Sequence, residues 1–210
     1  MIKCVIFDFG RVIGDFDHMI TCNKLVAFSL GLTAEEIYDK IFNHGLEQRY
    51  DEGLSPEDFY CEVKEAIGAN DRLTSQFFTE IWGDIFNDIP GMEAVLSKIK
   101  PEIKKMMLSN TNPAHWKYIS RLMAIRNFFG KNEQLVLSFK VGACKPDKKI
   151  FLAGVEQSGY GSEEIVYVDD IQEYVEAFKK FGVQGIVYNC QIDPPEKLQK
   201  ALAEYGVIKT

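Results

Sequence analysis

The sequence predicts an α/β fold: a parallel sheet layered with helices and interrupted early by an all-helical insertion. Three observations carry this. The chain opens on the apolar run Cys4-Val5-Ile6-Phe7, which stops at Asp8 and reads as a strand buried on both faces. Residues 19–87 then carry helix signals and no convincing strand. From Ile89-Pro90-Gly91 onward short apolar strands alternate with helices, a pattern whose right-handed crossovers build a parallel sheet.

Taken in order, Arg11 to His18 reads as a loop leaving the sheet. Thr33-Ala34-Glu35-Glu36 is a capping box, in which the hydroxyl and the carboxylate each satisfy a free amide. Ser55-Pro56-Glu57-Asp58 places a cap, a proline at the first helical position and acids in the first turn, all favourable at a helix start. Phe59, Val63 and Ile67 follow at four-residue spacing, and Thr74 opens a helix through Phe77, Phe78, Ile81, Trp82 and Ile85. Four helices are expected here, with Trp82, Phe77 and Phe78 in their core. Beyond the Asn87–Gly91 punctuation come a helix over 92–100, a strand over 105–108, a helix from Pro113 to about Arg126 and a short run at 135–137. A helix over 146–158, a strand over 164–168, a helix over 172–181, a strand over 185–188 and a last helix over 194–204 complete the chain.

Composition sets bounds. A chain of 210 residues with 46% hydrophobic and 26% charged residues suits one soluble core with an inserted module. Its net charge of -7 argues against a nucleic-acid surface. The five cysteines are odd in number, scattered and without a C-x-x-C pair, which supports neither a disulfide framework nor a zinc site and suits the cytoplasm. No signal sequence opens the chain and no apolar run reaches membrane-spanning length.

The chemistry is expected at strand ends. Asp8 follows the first strand, Ser109 and Asn110 the second, Lys145 precedes a helix, and Asp169-Asp170 close a late strand. In a parallel sheet these carboxyl ends share one edge, so residues far apart in sequence converge. Three carboxylates, a lysine, a hydroxyl and an amide suit a hard divalent cation, Mg²⁺, together with an anionic substrate group. Two adjacent acids at 169 and 170 would repel each other without such compensation.

In this order, with a helical insert after the first, these motifs resemble the haloacid dehalogenase superfamily nearly end to end. Phe7-Asp8-Phe9-Gly10-Arg11-Val12 looks like its first motif, Leu108-Ser109-Asn110-Thr111 the second, Lys145-Pro146-Asp147 the third and Val168-Asp169-Asp170 the fourth. The resemblance implies a Rossmann-like core over 1–15 and 89–210 and a helical cap over 16–88. It further implies Asp8 as a nucleophile that becomes an aspartyl-phosphate, and Mg²⁺ on Asp8, Asp170 and the Gly10 carbonyl with Asp169 beside them. Ser109 and Asn110 would bind phosphoryl oxygens, with Arg11 adding a cation, and Lys145 would stabilise the nucleophile and transferring group. The expected activity is Mg²⁺-dependent hydrolysis of a small phosphorylated metabolite, with sugar 1-phosphates among the candidates.

The chain departs from the usual phosphatase pattern at Gly10, where a second aspartate serves as general acid and base. A glycine there resembles the glucose-1-phosphate phosphatase and epoxide hydrolase N-terminal phosphatase branch. Either a good leaving group lessens the need for a proton, or Asp15, Asp17 or His18 supplies it. Tyr174 stands where an asparagine is frequent. In the insert, His44, Arg49 and Tyr50 resemble a segment that faces the site in relatives, against the plainer reading of a solvated helix end. Two other readings compete: a 2-haloacid dehalogenase, in which Asp8 attacks carbon, and a non-enzymatic binder of a phosphorylated ligand or partner. Substrate identity and oligomeric state are not legible.

Overall fold

The computed structural model describes residues 1–209. Five parallel strands form the central sheet: β1 (Cys4–Phe7), β4 (Lys104–Ser109), β5 (Leu135–Leu137), β6 (Ile165–Asp169) and β7 (Gln184–Val187), in the order β5-β4-β1-β6-β7. Two further strands, β2 (Gly14–Phe16) and β3 (Phe86–Asp88), pair antiparallel. The fold is therefore α/β with a parallel sheet, as expected.

Strand residues alternate between two cores, because side chains one residue apart point to opposite faces. Val5, Phe7, Met107, Val166 and Val168 pack on one side with the helices Met92–Lys98 and Pro195–Glu204. Cys4, Ile6, Met106, Leu108 and Tyr167 pack on the other, with Phe151 and Phe178. Both faces are covered, so β1 is wholly apolar and buried along its length.

The segment between β2 and β3 is helical, and its apolar residues close a separate core around Tyr50, Phe59, Phe78 and Trp82. The capping box forms: Thr33 N donates to Glu36 Oε2 at 2.8 Å and Glu36 N to Thr33 Oγ1 at 3.2 Å. Phe77 is half exposed and pairs with Phe28 rather than joining the buried cluster. The β2–β3 ribbon marks where this segment leaves and rejoins the sheet. Its strands, Gly-Asp-Phe and Phe-Asn-Asp, are too short and too polar to show a period. The helix expected over 113–126 is two, Pro113–Ile119 and Met123–Phe128.

Candidate active site

Register places the chemistry. Phe7 lies beside both Met107 and Val168, so Asp8, Ser109 and Asp169 emerge at one sheet edge. Asp8 N donates to Val168 O at 2.8 Å, which carries the β1 pairing up to Asp8.

Lys145 stands at the centre. Its Nζ lies 2.7 Å from Asp8 Oδ1 and 2.8 Å from Asp169 Oδ2, with the lysine side chain only 2% exposed. Asp169 has no spare oxygen: Oδ1 accepts from Ile171 N at 2.8 Å, and Oδ2 takes the Tyr167 hydroxyl as well as Lys145. Tyr174 lies over the ammonium, 5.2 Å from ring centroid to Nζ, a favourable placement for a buried cation. Asn110 holds the lysine from behind. Its Oδ1 accepts from Lys145 N at 2.8 Å and its Nδ2 donates to Lys145 O at 3.3 Å. The Asn110 amide thus positions Lys145, while the Ser109 hydroxyl borders the open cavity.

The electrostatics follow from burial. Burial pushes the Asp8 carboxyl up to about 7, against the pull of Lys145 and with a further push from Asp169. Burial and then Asp169 raise Asp170 to about 6. Lys145 is held above its ordinary value although burial works against its charge, because Asp169 and Asp8 outweigh that cost. Carboxylate oxygens of Asp8, Asp169 and Asp170 lie within 4.8 Å of one another. That set is rich in hard oxygen and short of positive charge, as a divalent-cation site is.

Arg11 adopts a left-handed backbone, φ 57°, unusual for a residue with a side chain. Its amide donates to Gly14 O at 2.7 Å and its carbonyl accepts from Cys190 N at 2.8 Å. The guanidinium comes to 3.9 Å from Asp170 Oδ2 and stacks over Phe16 at 5.4 Å. Gly10 explains itself by space: a Cβ there would sit 2.7 Å from Phe16 Cε1. The Phe16 ring fills the room a side chain at position 10 would need.

A cavity of about 500 Å³ rises from this edge to the helical segment. Asp8, Lys145 and Asp170 line it from the sheet edge, and His18, Glu47 and Asp51 line it from the helical segment. Among the residues the sequence singled out in the insert, Arg49 points away to Glu62 Oε2 at 2.5 Å, His44 is exposed and Tyr50 is buried in the helical core. The carboxylates at 47 and 51, one helical turn apart, face the cavity instead. Sequence reasoning missed them, although their i, i+4 spacing on a helix starting at Leu46 was the available signal.

Comparison with known proteins gives a consistent picture. Residues 2–182 match the family model described as a haloacid dehalogenase-like hydrolase. A D-ribitol-5-phosphate phosphatase of Bacteroides thetaiotaomicron is 28% identical over 88% of this chain and 90% of its own length. A phosphorylated carbohydrates phosphatase of Thermotoga maritima is 24% identical over 98% of this chain and 92% of its own. A family enzyme of Bacteroides thetaiotaomicron, crystallised with magnesium and inorganic phosphate, superposes with a TM-score of 0.77 at 23% identity, covering 94% of this chain and 99% of that one.

Proposed function

Since the chain belongs to the haloacid dehalogenase-like hydrolases, and its curated relatives are phosphatases, we propose that it is a Mg²⁺-dependent phosphatase of a small phosphorylated carbohydrate, working through an aspartyl-phosphate on Asp8. The observation that carries the reading is the buried Lys145 bridging Asp8 and Asp169, with Asp170 beside them. Residues 16–88 act as the cap that encloses the leaving group.

Asp8 Oδ2 attacks phosphorus as the ester P–O bond breaks and the carbohydrate departs with its oxygen, which takes a proton from solvent, while Lys145 holds Oδ1 and lends positive charge to the transferring group. The Ser109 hydroxyl donates to a phosphoryl oxygen, and Asn110 keeps Lys145 in register. Asp8, Asp170 and the Gly10 carbonyl would hold Mg²⁺, which supplies the charge that lets a phosphate dianion approach a carboxylate. Asp169, its oxygens already committed, anchors Lys145. Water then attacks phosphorus, the bond to Asp8 Oδ2 breaks, and inorganic phosphate leaves with Asp8 restored as a carboxylate. With Phe16 filling the space at residue 10, that position offers no carboxyl to the leaving oxygen. Substrates that leave as weak bases, sugar 1-phosphates among them, therefore suit this site best.

The test is phosphate release from a panel of phosphorylated carbohydrates with and without Mg²⁺, with Asp8→Asn as control. Mg²⁺-dependent release that vanishes in Asp8→Asn supports the reading. Silence across the panel, or halide release from haloacids that persists in EDTA, overturns it.

A further inference from the structure

We propose that Arg11 is a catalytic residue acting on the leaving oxygen: its guanidinium donates to the bridging oxygen as the ester bond breaks, in place of the carboxyl that residue 10 lacks. This rests on the phosphatase reading above, and it assigns Arg11 to the leaving group rather than to the phosphoryl oxygens.

In that reading Ser109 and Lys145 serve the phosphoryl oxygens, and nothing serves the leaving oxygen. The three side chains that the sequence offered as proton donors fail in turn. Asp17 Oδ1 caps a helix, accepting from Met19 N at 2.8 Å. Asp15 Oδ1 accepts from Phe16 N at 2.9 Å and from Gln191 Nε2 at 3.3 Å. Neither aspartate is among the residues that line the cavity with Asp8. His18 does line it, but burial, and then the charge of Arg11, lower its imidazole to about 4. The ring is therefore neutral near physiological pH and a poor acid there.

Arg11 remains. It and Lys145 are the basic side chains, histidines aside, that line this cavity. Lys145 is already committed to Asp8 and Asp169. Arg11 is not: its closest carboxylate oxygen, Asp170 Oδ2 at 3.9 Å, lies beyond hydrogen-bond distance, and 40% of its side chain is exposed. Asp170 belongs to the same carboxylate cluster as Asp8, so the guanidinium stands beside the point of attack. Its other support is the Phe16 ring, 5.4 Å away. That same ring lies 2.7 Å from where a Cβ at residue 10 would sit. Arg11 thus leans on the group that fills the missing side chain's room. Its left-handed backbone, φ 57°, is strain of the kind that functional sites store.

The step balances without an acid. Asp8 Oδ2 bonds to phosphorus, the ester P–O bond breaks, and its electron pair passes to the leaving oxygen. A guanidinium stays ionised to a pH above about 12, so Arg11 keeps its proton and meets that charge with N–H donors. The oxygen then takes a proton from solvent. Donors aimed at developing charge act mainly in the transition state, and the more basic the leaving oxygen, the more they contribute.

The experiment measures kcat/KM at saturating Mg²⁺ for p-nitrophenyl, phenyl and n-pentyl phosphate, whose leaving oxygens are increasingly basic. Arg11→Met is expected to lower n-pentyl phosphate turnover by about 10²-fold and p-nitrophenyl phosphate turnover by less than about 10-fold, with phenyl phosphate between. Arg11→Lys, which keeps the charge without the planar fork, should show the same order in smaller measure. Equal losses on all three substrates would assign Arg11 to the phosphoryl oxygens and overturn the role. Loss on none, loss of Mg²⁺ binding by calorimetry in Arg11→Met, or a wild type that hydrolyses p-nitrophenyl phosphate but no alkyl phosphate also overturns it. Wild type inactive even on p-nitrophenyl phosphate overturns the phosphatase reading and this role with it, a distinct result.

Discussion

Replacing Asp8 by its neutral isostere should make the metal-free protein more stable. Asp8 is 7% exposed, and burial lifts its carboxyl from 3.8 to about 7. A carboxyl raised in the folded state keeps a proton that the unfolded chain gives up, so stability falls as pH rises between those two values. At ~1.4 kcal/mol per unit the penalty approaches ~4 kcal/mol above pH 7 and falls to less than half of that at pH 5. Asp8→Asn removes it, while Lys145 keeps Asp169 at 2.8 Å as a partner. For a chain of this size roughly 2–4 kcal/mol corresponds to about 5–15 °C in Tm. Calorimetry in EDTA at pH 8 and pH 5 reads the effect, with the exposed Glu133→Gln as control for net charge. A Tm for Asp8→Asn at or below wild type at pH 8, or a gap that does not shrink at pH 5, would refute the reasoning. Mg²⁺ should raise the Tm of wild type more than that of the variant.

Lys145→Met leaves Asp8 and Asp169 buried without their shared cation; urea denaturation at pH 8 should show a loss of ~3–5 kcal/mol, and turnover should disappear. Gly10→Asp alone should destabilise and bring no gain, because its Cβ meets Phe16 Cε1 at 2.7 Å. Gly10→Asp with Phe16→Ala opens the room for a general acid and should raise kcat on alkyl phosphates by about 10²-fold, with a smaller gain on p-nitrophenyl phosphate. Trp82, 1% exposed and stacked against Phe42 and His115, should cost ~3–5 kcal/mol on truncation to alanine, seen as a lowered Tm.

The parts of the fold that a sequence displays are those with a period or a cap. β1 and β6 are apolar runs buried on both faces, and Thr33 and Ser55 announce helices through their side chains. The β2–β3 ribbon has neither signal, since three residues cannot establish an alternation, and it forms because the chain must leave and re-enter the sheet at one place. The site divides in the same way. Asp8, Ser109 and Asp169 are legible because each ends a strand, and parallel register brings strand ends together. The role of Asn110 is not legible, because its grip on the Lys145 main chain spans 35 residues. Nor is the Phe16 ring beside Gly10, since a missing side chain carries no mark of what fills its place. At the insert, the sequence directed attention to His44, Arg49 and Tyr50, whereas helix rotation turns Glu47 and Asp51 to the cavity.

Burial raises carboxyl groups at both ends of the cavity, but the two ends relieve it differently. At the floor, Lys145 is fixed between two acids and a hard-oxygen cluster is left one cation short. At the far end no such cation is provided: Glu47 meets only imidazoles that burial keeps neutral, and Asp51 meets the neutral Asn112 amide. A phosphate dianion seated at the floor would be repelled by two ionised carboxylates above it and is not repelled by carboxyls that keep a proton. Proton retention at the far end is therefore a condition for binding at the near end. Raising pH above about 7, where Asp51 gives up its proton, should raise KM for a polyol phosphate before it affects kcat. Glu47→Gln should reduce that dependence, since a neutral amide has no proton to lose. A KM flat from pH 6 to 9 in wild type would show that the two ends of the cavity are electrostatically independent.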